Sequence, residues 1–148
     1  MPEISETSIK LAETDTDIAR VYPVLRQLRP HIATQAEFLA TIRRLQATQP
    51  GWRLIYVESD GMPVAAAGFR IMETTAWGRV LYVDDLVTLE TQRSKGFGEI
   101  LIRRLEDFAR AEGCVQLHLD SGTQRQGAHR FYHRMGLPIT SFHFARKL

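Results

Sequence analysis

Asp84 and Asp85 stand side by side in "YVDDLV", inside a run that is otherwise apolar. Two adjacent carboxylates in such a strand are costly unless a site uses them or a bulge exposes one. There a carboxylate serves either as a proton acceptor or as a strand-edge acid paired to an arginine. Simple alternation puts Asp85 on one face with Leu81, Val83 and Val87, and Asp84 on the other with Tyr82 and Leu86. A second arrangement follows in "TQRSKGFGEIL", where Gly96 and Gly98 flank Phe97 behind Arg93 and Lys95, just before a helical pattern. Glycines at a helix start let unpaired N–H groups approach an anion with no β-carbon in the way, and phosphate is the natural guest. The spacing has neither G-x-x-x-x-G-K-[ST] nor the third glycine of G-x-G-x-x-G, so neither ATP nor NAD is supported. Ordinary turn glycines are the competing reading.

Other residue groups point to less. His118 with Asp120, and His129 with His133, share faces by strand and helix spacing, but solvated or core-edge histidines fit both pairs, so no metal is expected. Cys114 is the single cysteine, which rules out an internal disulfide, and nothing near it in sequence activates a thiol. Arg125, Arg130, Arg134, Arg146 and Lys147 are basic but lack interleaved aromatics, and the net charge of +2 gives no global field. Nucleic acid is not an expected partner. Neither is a membrane: no apolar run approaches the roughly 20 residues of a span. The start "MPEISETSIK" lacks the apolar core of a secretory signal, so a cytoplasmic protein is expected.

These groups need a scaffold, and 148 residues suffice for one domain with a sizeable core. After a short alternating start at "SIKLAE", Asp15 or Asp17 is placed to cap a helix carrying Ile18, Val21, Leu25 and Leu28, which Pro23 weakens near its start. Thr34 and Glu37 form a capping box before the stripe Phe38, Ile42, Leu45. Residues 52–59 and 62–73 read as strands joined by "DG", and 78–89 follows as a third in a meander. From Phe97 the period becomes helical, with Leu101, Leu105 and Phe108 on one face and Gly113 at the C-cap position. "CVQLHLD" alternates as a strand, Arg125 to Met135 reads as a helix ended by Gly136, and "ITSFHFARKL" is expected as a final strand. The expected class is α+β, a mixed but mostly antiparallel central sheet flanked by about four helices.

The segment "LVTLETQRSKGFGEILIRRLEDFA", followed after one strand by "AHRFYHRMGL", resembles the GNAT superfamily of acyl-CoA-dependent N-acetyltransferases. It carries their [RQ]-x-x-G-x-[GA] pyrophosphate motif and their A-x-x-F-Y-x-x-x-G helix, and the element order matches that fold over nearly the whole chain. The tail "AHRFYHRMGLPITSFHFARKL" is similar to aminoalkylphosphonate N-acetyltransferases. The resemblance implies a single GNAT-like domain over 1–148 that moves an acetyl group from acetyl-CoA to a primary amine of a small molecule, by direct attack in a ternary complex. A peptide or protein amine, or a non-catalytic acyl-CoA sensor, is the alternative. A homodimer is allowed.

Carried over by position, the main chain of Arg93, Ser94, Lys95, Gly96, Phe97 and Gly98 would hold the pyrophosphate, with Arg93 and Lys95 adding charge. Leu86 and Val87 would pair with the pantetheine arm, and the Val87 N–H would polarise the thioester. Arg125 stands where many relatives carry Asn and is expected to meet phosphate or substrate instead. Since a primary amine with a pKa of about 10 is mostly charged at neutral pH, a carboxylate must take its proton; Asp85, directly before "LV", is favoured over Asp84. Tyr132 is the acid expected for the leaving thiolate, against a plain core role in the stripe Ala128, Phe131, Tyr132, Met135. Acceptor recognition would fall to "RQLRPHIAT", where Arg26, Arg29 and His31 face an acidic group and Tyr22 lines the cleft.

Overall fold

In the computed structural model, which describes residues 7–148, the helices and strands fall where the caps and turns direct them. The chain forms two compact units, Met1–His118 and Leu119–Leu148. The first holds β1 (Thr7–Leu11), α1 (Asp15–Leu28), α2 (Gln35–Thr48), β2 (Arg53–Ser59), β3 (Met62–Thr74), β4 (Gly78–Thr88), a 3-10 turn (Glu90–Gln92) and α3 (Phe97–Ala111). β5 (Gln116–Leu119) crosses the boundary, and α4 (Gln126–Arg134) belongs to the second unit.

Thr14, rather than Asp15 or Asp17, caps α1: its hydroxyl accepts the Asp17 N–H at 3.1 Å. The two aspartates lie in the first turn, where their charge opposes the positive end of the helix dipole. Pro23 sits well inside the helix on its exposed side, while Ile18, Val21, Tyr22, Val24 and Leu25 form the buried face. At α2 the Thr34 hydroxyl accepts the Glu37 N–H at 3.1 Å, and the Glu37 carboxylate accepts the Ala33 N–H at 3.1 Å. The reciprocal bond therefore reaches the residue before the cap.

β1 to β4 pair antiparallel in chain order, and β5 completes the sheet order β1-β2-β3-β4-β5. The β2–β3 hairpin turns on Asp60 (φ 52°) and Gly61 (φ 75°), both left-handed as a two-residue turn of this hand requires. One sheet face meets α1 and α2, where Ile18, Val21, Leu25 and Phe38 pack with Leu54, Tyr56, Ala66 and Val87. α3 packs against β3 and β4, bringing Phe108 to 5.4 Å from Phe69. Each fully buried Val, Leu, Ile or Phe among them contributes about 1.5–3 kcal/mol of transfer free energy. Both α1 and α3 thus pack against β4.

In the second unit, α4 ends as its glycine dictates: Gly136 takes φ 81°, and the Leu137 N–H returns to the Tyr132 carbonyl at 2.9 Å. The strand expected over 139–148 does not form. Its Phe142 and Phe144 are 82% and 92% exposed, so their β-propensity, which rewards a half-buried pleated surface, goes unused. Near the start of that tail, Pro138 also removes a backbone donor.

Candidate active site

The register of β3 against β4 slips beside the two acids. Gly68 pairs with Asp85 and Phe69 with Val83, which leaves Asp84 as the extra residue of a bulge. The slip overturns the simple alternation read from the sequence: Val83 lies with Phe69, whereas Asp85 lies with Gly68 and does not share a face with Leu81 and Val83. Both carboxylates consequently reach side chains from elements preceding β4.

Asp84 is held from two sides. Its Oδ2 accepts the indole N–H of Trp52 at 3.0 Å, and its Oδ1 lies 3.3 Å from the Arg70 guanidinium. Arg70 also donates to Gln49 Oε1 at 3.4 Å and lies over the Tyr82 ring, 5.2 Å from its centroid. Asp85 accepts Arg29 Nε at 2.7 Å, and Arg29 Nη2 donates to the Asp84 carbonyl at 2.9 Å. Burial pushes the Asp85 carboxyl above its ordinary range; Arg29 opposes this through charge and hydrogen bond, Asp84 adds to the rise and His31 opposes it. A carboxylate with a raised pKa is a stronger proton acceptor than a free one.

Gly68 makes this packing fit. A β-carbon there would lie 2.8 Å from Trp52 Cζ2 and 3.0 Å from Asp85 Oδ2, so only glycine lets indole and carboxylate meet across the strand. Sequence reasoning missed Trp52, Gly68 and Arg70. The glycine in "AAAGF" was the available signal, because glycine inside an apolar strand marks a bulge or a close approach.

The other expected residues fall as follows. Tyr22 is 8% exposed, and its hydroxyl donates to the Ile32 carbonyl at 2.7 Å, pinning the α1–α2 loop. Arg26 and His31 are exposed, while Arg29 is turned to the acids. Leu86 and Val87 pair with Ala67 and Ala66 of β3. β5 starts where the Val115 N–H donates to the Arg79 carbonyl at 2.9 Å, and its 4 residues are too few to follow all 11 of β4.

β4 leads through the 3-10 turn to Arg93, Ser94, Lys95 and Gly96, all exposed. Ser94 (φ 65°) and Gly96 (φ 86°) are both left-handed, and Gly96 caps α3 with no side chain bonded to the helix start. The first main-chain return is Ile100 N–H to the Gly96 carbonyl at 3.1 Å, so the N–H groups of Phe97, Gly98 and Glu99 precede the helical ladder. Phe97 is buried and anchors this turn; Lys95 donates to Gln92 Oε1 at 3.0 Å. An open β-carbon position at Gly96, with nothing within 4 Å, leaves room for a ligand against the backbone.

In the second unit Tyr132 is 8% exposed, 5.5 Å from the Phe131 ring. Burial pushes its phenol up and keeps it protonated, while Arg125 at the start of α4 opposes this by charge and hydrogen bond. His129 instead contacts the Gly122 carbonyl at 2.8 Å, and in the first unit His118 stacks on Trp77 at 3.9 Å. Among the described residues no group of three or more His, Cys, Asp or Glu side chains is arranged to hold a metal ion, and no helix is long and apolar enough to cross a membrane.

Comparison with known proteins carries the assignment further. The model of the acetyltransferase (GNAT) family matches residues 18–137. The "uncharacterized N-acetyltransferase YhdJ" of Bacillus subtilis (strain 168) is 33% identical over 131 residues, covering 86% of this chain and 89% of that protein. Glucosamine 6-phosphate N-acetyltransferase 1 of Oryza sativa subsp. japonica is 32% identical over 127 residues, covering 81% and 74%. Among solved structures, aminoglycoside N-acetyltransferase AAC(6')-Iy in complex with CoA shares the fold with a TM-score of 0.82 at 17% identity, over 99% of this chain and 98% of that one. With the family model running from α1 to just past α4, the chain belongs to the acetyltransferase (GNAT) family, whose members are acyl-CoA-dependent N-acetyltransferases.

Proposed function

We propose that the protein transfers the acetyl group of acetyl-CoA to the primary amine of a small molecule, with both substrates bound together and no covalent enzyme intermediate. The carrying observation is that one strand supplies both halves of such a site. β4 bears Asp84 and Asp85 and runs on, through a short turn, to the uncapped, glycine-led start of α3. That start suits a diphosphate: amides of Phe97, Gly98 and Glu99 are free of intrahelical partners, and Arg93, Ser94, Lys95 and Gly96 are exposed beside them. Leu86 and Val87 would offer main chain to the pantetheine arm, and Arg125 a further contact. Acetyl-CoA supplies the activated acyl thioester.

The protein's own groups account for the remaining chemistry. Asp85 takes the proton that the acceptor ammonium must lose, directly or through water, and Asp84 keeps the bulge in place. The freed amine forms the N–C bond, the C–S bond breaks as Tyr132 gives a proton to the departing sulfur, and the second proton of the attacking nitrogen passes to the tyrosinate, restoring the phenol. Its raised pKa keeps that proton available. The Val87 N–H is assigned to the carbonyl oxygen as charge develops there. Arg26, exposed in the last turn of α1, and His31, exposed in the α1–α2 loop, favour an acceptor bearing an anionic group such as phosphate or phosphonate. The rice and aminoglycoside relatives, named for amino-sugar substrates, support a small-molecule amine. The family model's span across both units supports reading 1–148 as one catalytic domain. Release of free thiol over a panel of small amines, amino sugar phosphates and aminoalkylphosphonates tests the reading. Binding of acetyl-CoA with no thiol released for any amine would replace it with an acyl-CoA sensor.

A further inference from the structure

Arg29 ends α1, where its own N–H donates back to the Leu25 carbonyl at 2.9 Å. Its side chain then reaches β4 with two donors in different roles. Nε holds the Asp85 carboxylate at 2.7 Å, and Nη2 holds the main-chain carbonyl of Asp84, the bulge residue, at 2.9 Å. A bulge leaves its extra residue out of the strand ladder, so a side-chain donor to that carbonyl fixes a local shape that the sheet does not fix. The planar fork of arginine can span a carboxylate and a neighbouring carbonyl; the point charge of lysine cannot do both equally well. Thus occupied, Arg29 is not the free anion binder that its place in "RQLRPHIAT" suggests.

We infer that Arg29 is a positioning residue for acetyl transfer, locking the Asp84 bulge and holding Asp85 ionised and aimed. This inference rests on Asp85 acting as the base, as proposed above. The titratable groups facing Asp85 are Arg29 and His31 from the α1–α2 connection and Asp84 on its own strand; Arg70 of β3 reaches it through Asp84, and Trp52, just before β2, is neutral. Of these, Arg29 makes the direct contact. Burial favours the protonated acid and Arg29 favours the anion more strongly than His31 does, so removing the guanidinium takes away the main opposition to burial and the carboxyl keeps its proton to higher pH. The enzyme then needs a higher pH to reach the same fraction of active base.

Arg29→Gln and Arg29→Lys in the full chain, each verified as folded by circular dichroism, test this with two readouts. The first is a carbon-13 NMR titration of the Asp85 carboxyl without substrates. The expected midpoint moves to higher pH in Arg29→Gln and lies between in Arg29→Lys; an unmoved or lowered midpoint overturns the inference, whatever Asp85 does in catalysis. The second is kcat/KM for the acceptor against pH, using the amine found by thiol release. The expected loss in Arg29→Gln is about tenfold or more at neutral pH, shrinking as pH rises, with KM for acetyl-CoA unchanged. A loss equal at every pH would make Arg29 a plain structural support and overturn the inference. Asp85→Asn run alongside separates the two ideas: if it turns over like wild type, the base assignment fails, while the NMR titration still decides whether Arg29 governs the carboxyl.

Discussion

Replacing Gly68 with alanine places a single methyl where two side chains, the Trp52 indole and the Asp85 carboxylate, already meet. The new β-carbon would lie 2.8 and 2.9 Å from two Trp52 ring carbons and 3.0 Å from Asp85 Oδ2. Carbon atoms in contact settle at about 3.5–4.0 Å, so something must move by roughly 0.7 Å or more. Neither neighbour yields freely. Trp52 is 3% exposed and tied by its N–H to Asp84, and Asp85 is tied to Arg29. Overpacking of this kind costs about 1–3 kcal/mol, and the stiffer unfolded chain of an alanine variant offsets about 0.4–1 kcal/mol of it. At mid-range values the expected net loss is about 1.3 kcal/mol, or about 3–5 °C in Tm for a chain of this size. Because the displaced group is the proposed base, turnover should fall at least about tenfold even in the folded fraction. Urea denaturation gives the first quantity and thiol release on the best acceptor the second. A Gly68→Ala protein as stable and as active as wild type would refute the argument. A gentler check is Trp52→Phe in the same background: relief of the clash should make the double variant lose less than the sum of the two single losses.

Gly98→Val should weaken CoA binding by at least about tenfold in calorimetry by crowding the first-turn amides of α3, and unchanged affinity would remove the proposed diphosphate cradle. Tyr132→Phe should lower kcat about tenfold or more with acetyl-CoA affinity unchanged; full turnover would strip Tyr132 of the acid role. The raised Asp85 pKa also has a signed effect on folding. The folded state holds that proton more tightly than the unfolded chain, so its contribution is present below the unfolded value of 3.8 and is lost as pH rises through the higher folded value. Denaturation midpoints of wild type and Asp85→Asn should therefore differ in their slope with pH across that window, and parallel curves would show that Asp85 carries no such linkage.

Local signals told the truth about local structure. The "DG" turn, the Thr34–Glu37 cap, the α3 stripe and the glycine at the α4 terminus all stand where spacing placed them, because each rests on neighbours within a few residues. Apart from the α1 cap, which falls to Thr14 and not to Asp15 or Asp17, failures came where a partner strand decides. Alternation put Asp85 on the wrong face because one bulge, set by the pairing of β3 with β4, resets the count at Asp84. "ITSFHFARKL" reads as strand from residue type alone, yet it forms none and its Phe142 and Phe144 stay exposed. For the site, the acids and the glycine pair were legible as chemistry out of place in apolar sequence. Their keepers were not: Trp52 and Arg29 lie 32 and 56 positions from the acids they hold, and Arg70 reads as one more surface cation.

The bond from the Trp52 indole to the Asp84 carboxylate has a practical consequence. The chain has two tryptophans, and the other, Trp77, is 36% exposed and stacked on His118. An indole locked in an apolar surround emits at shorter wavelength than one meeting water, and its brightness follows the charge beside it. The protein thus carries its own lamp at the acid pair, and titrating an acceptor while watching the blue edge of the emission would time the arrival of substrate without any label.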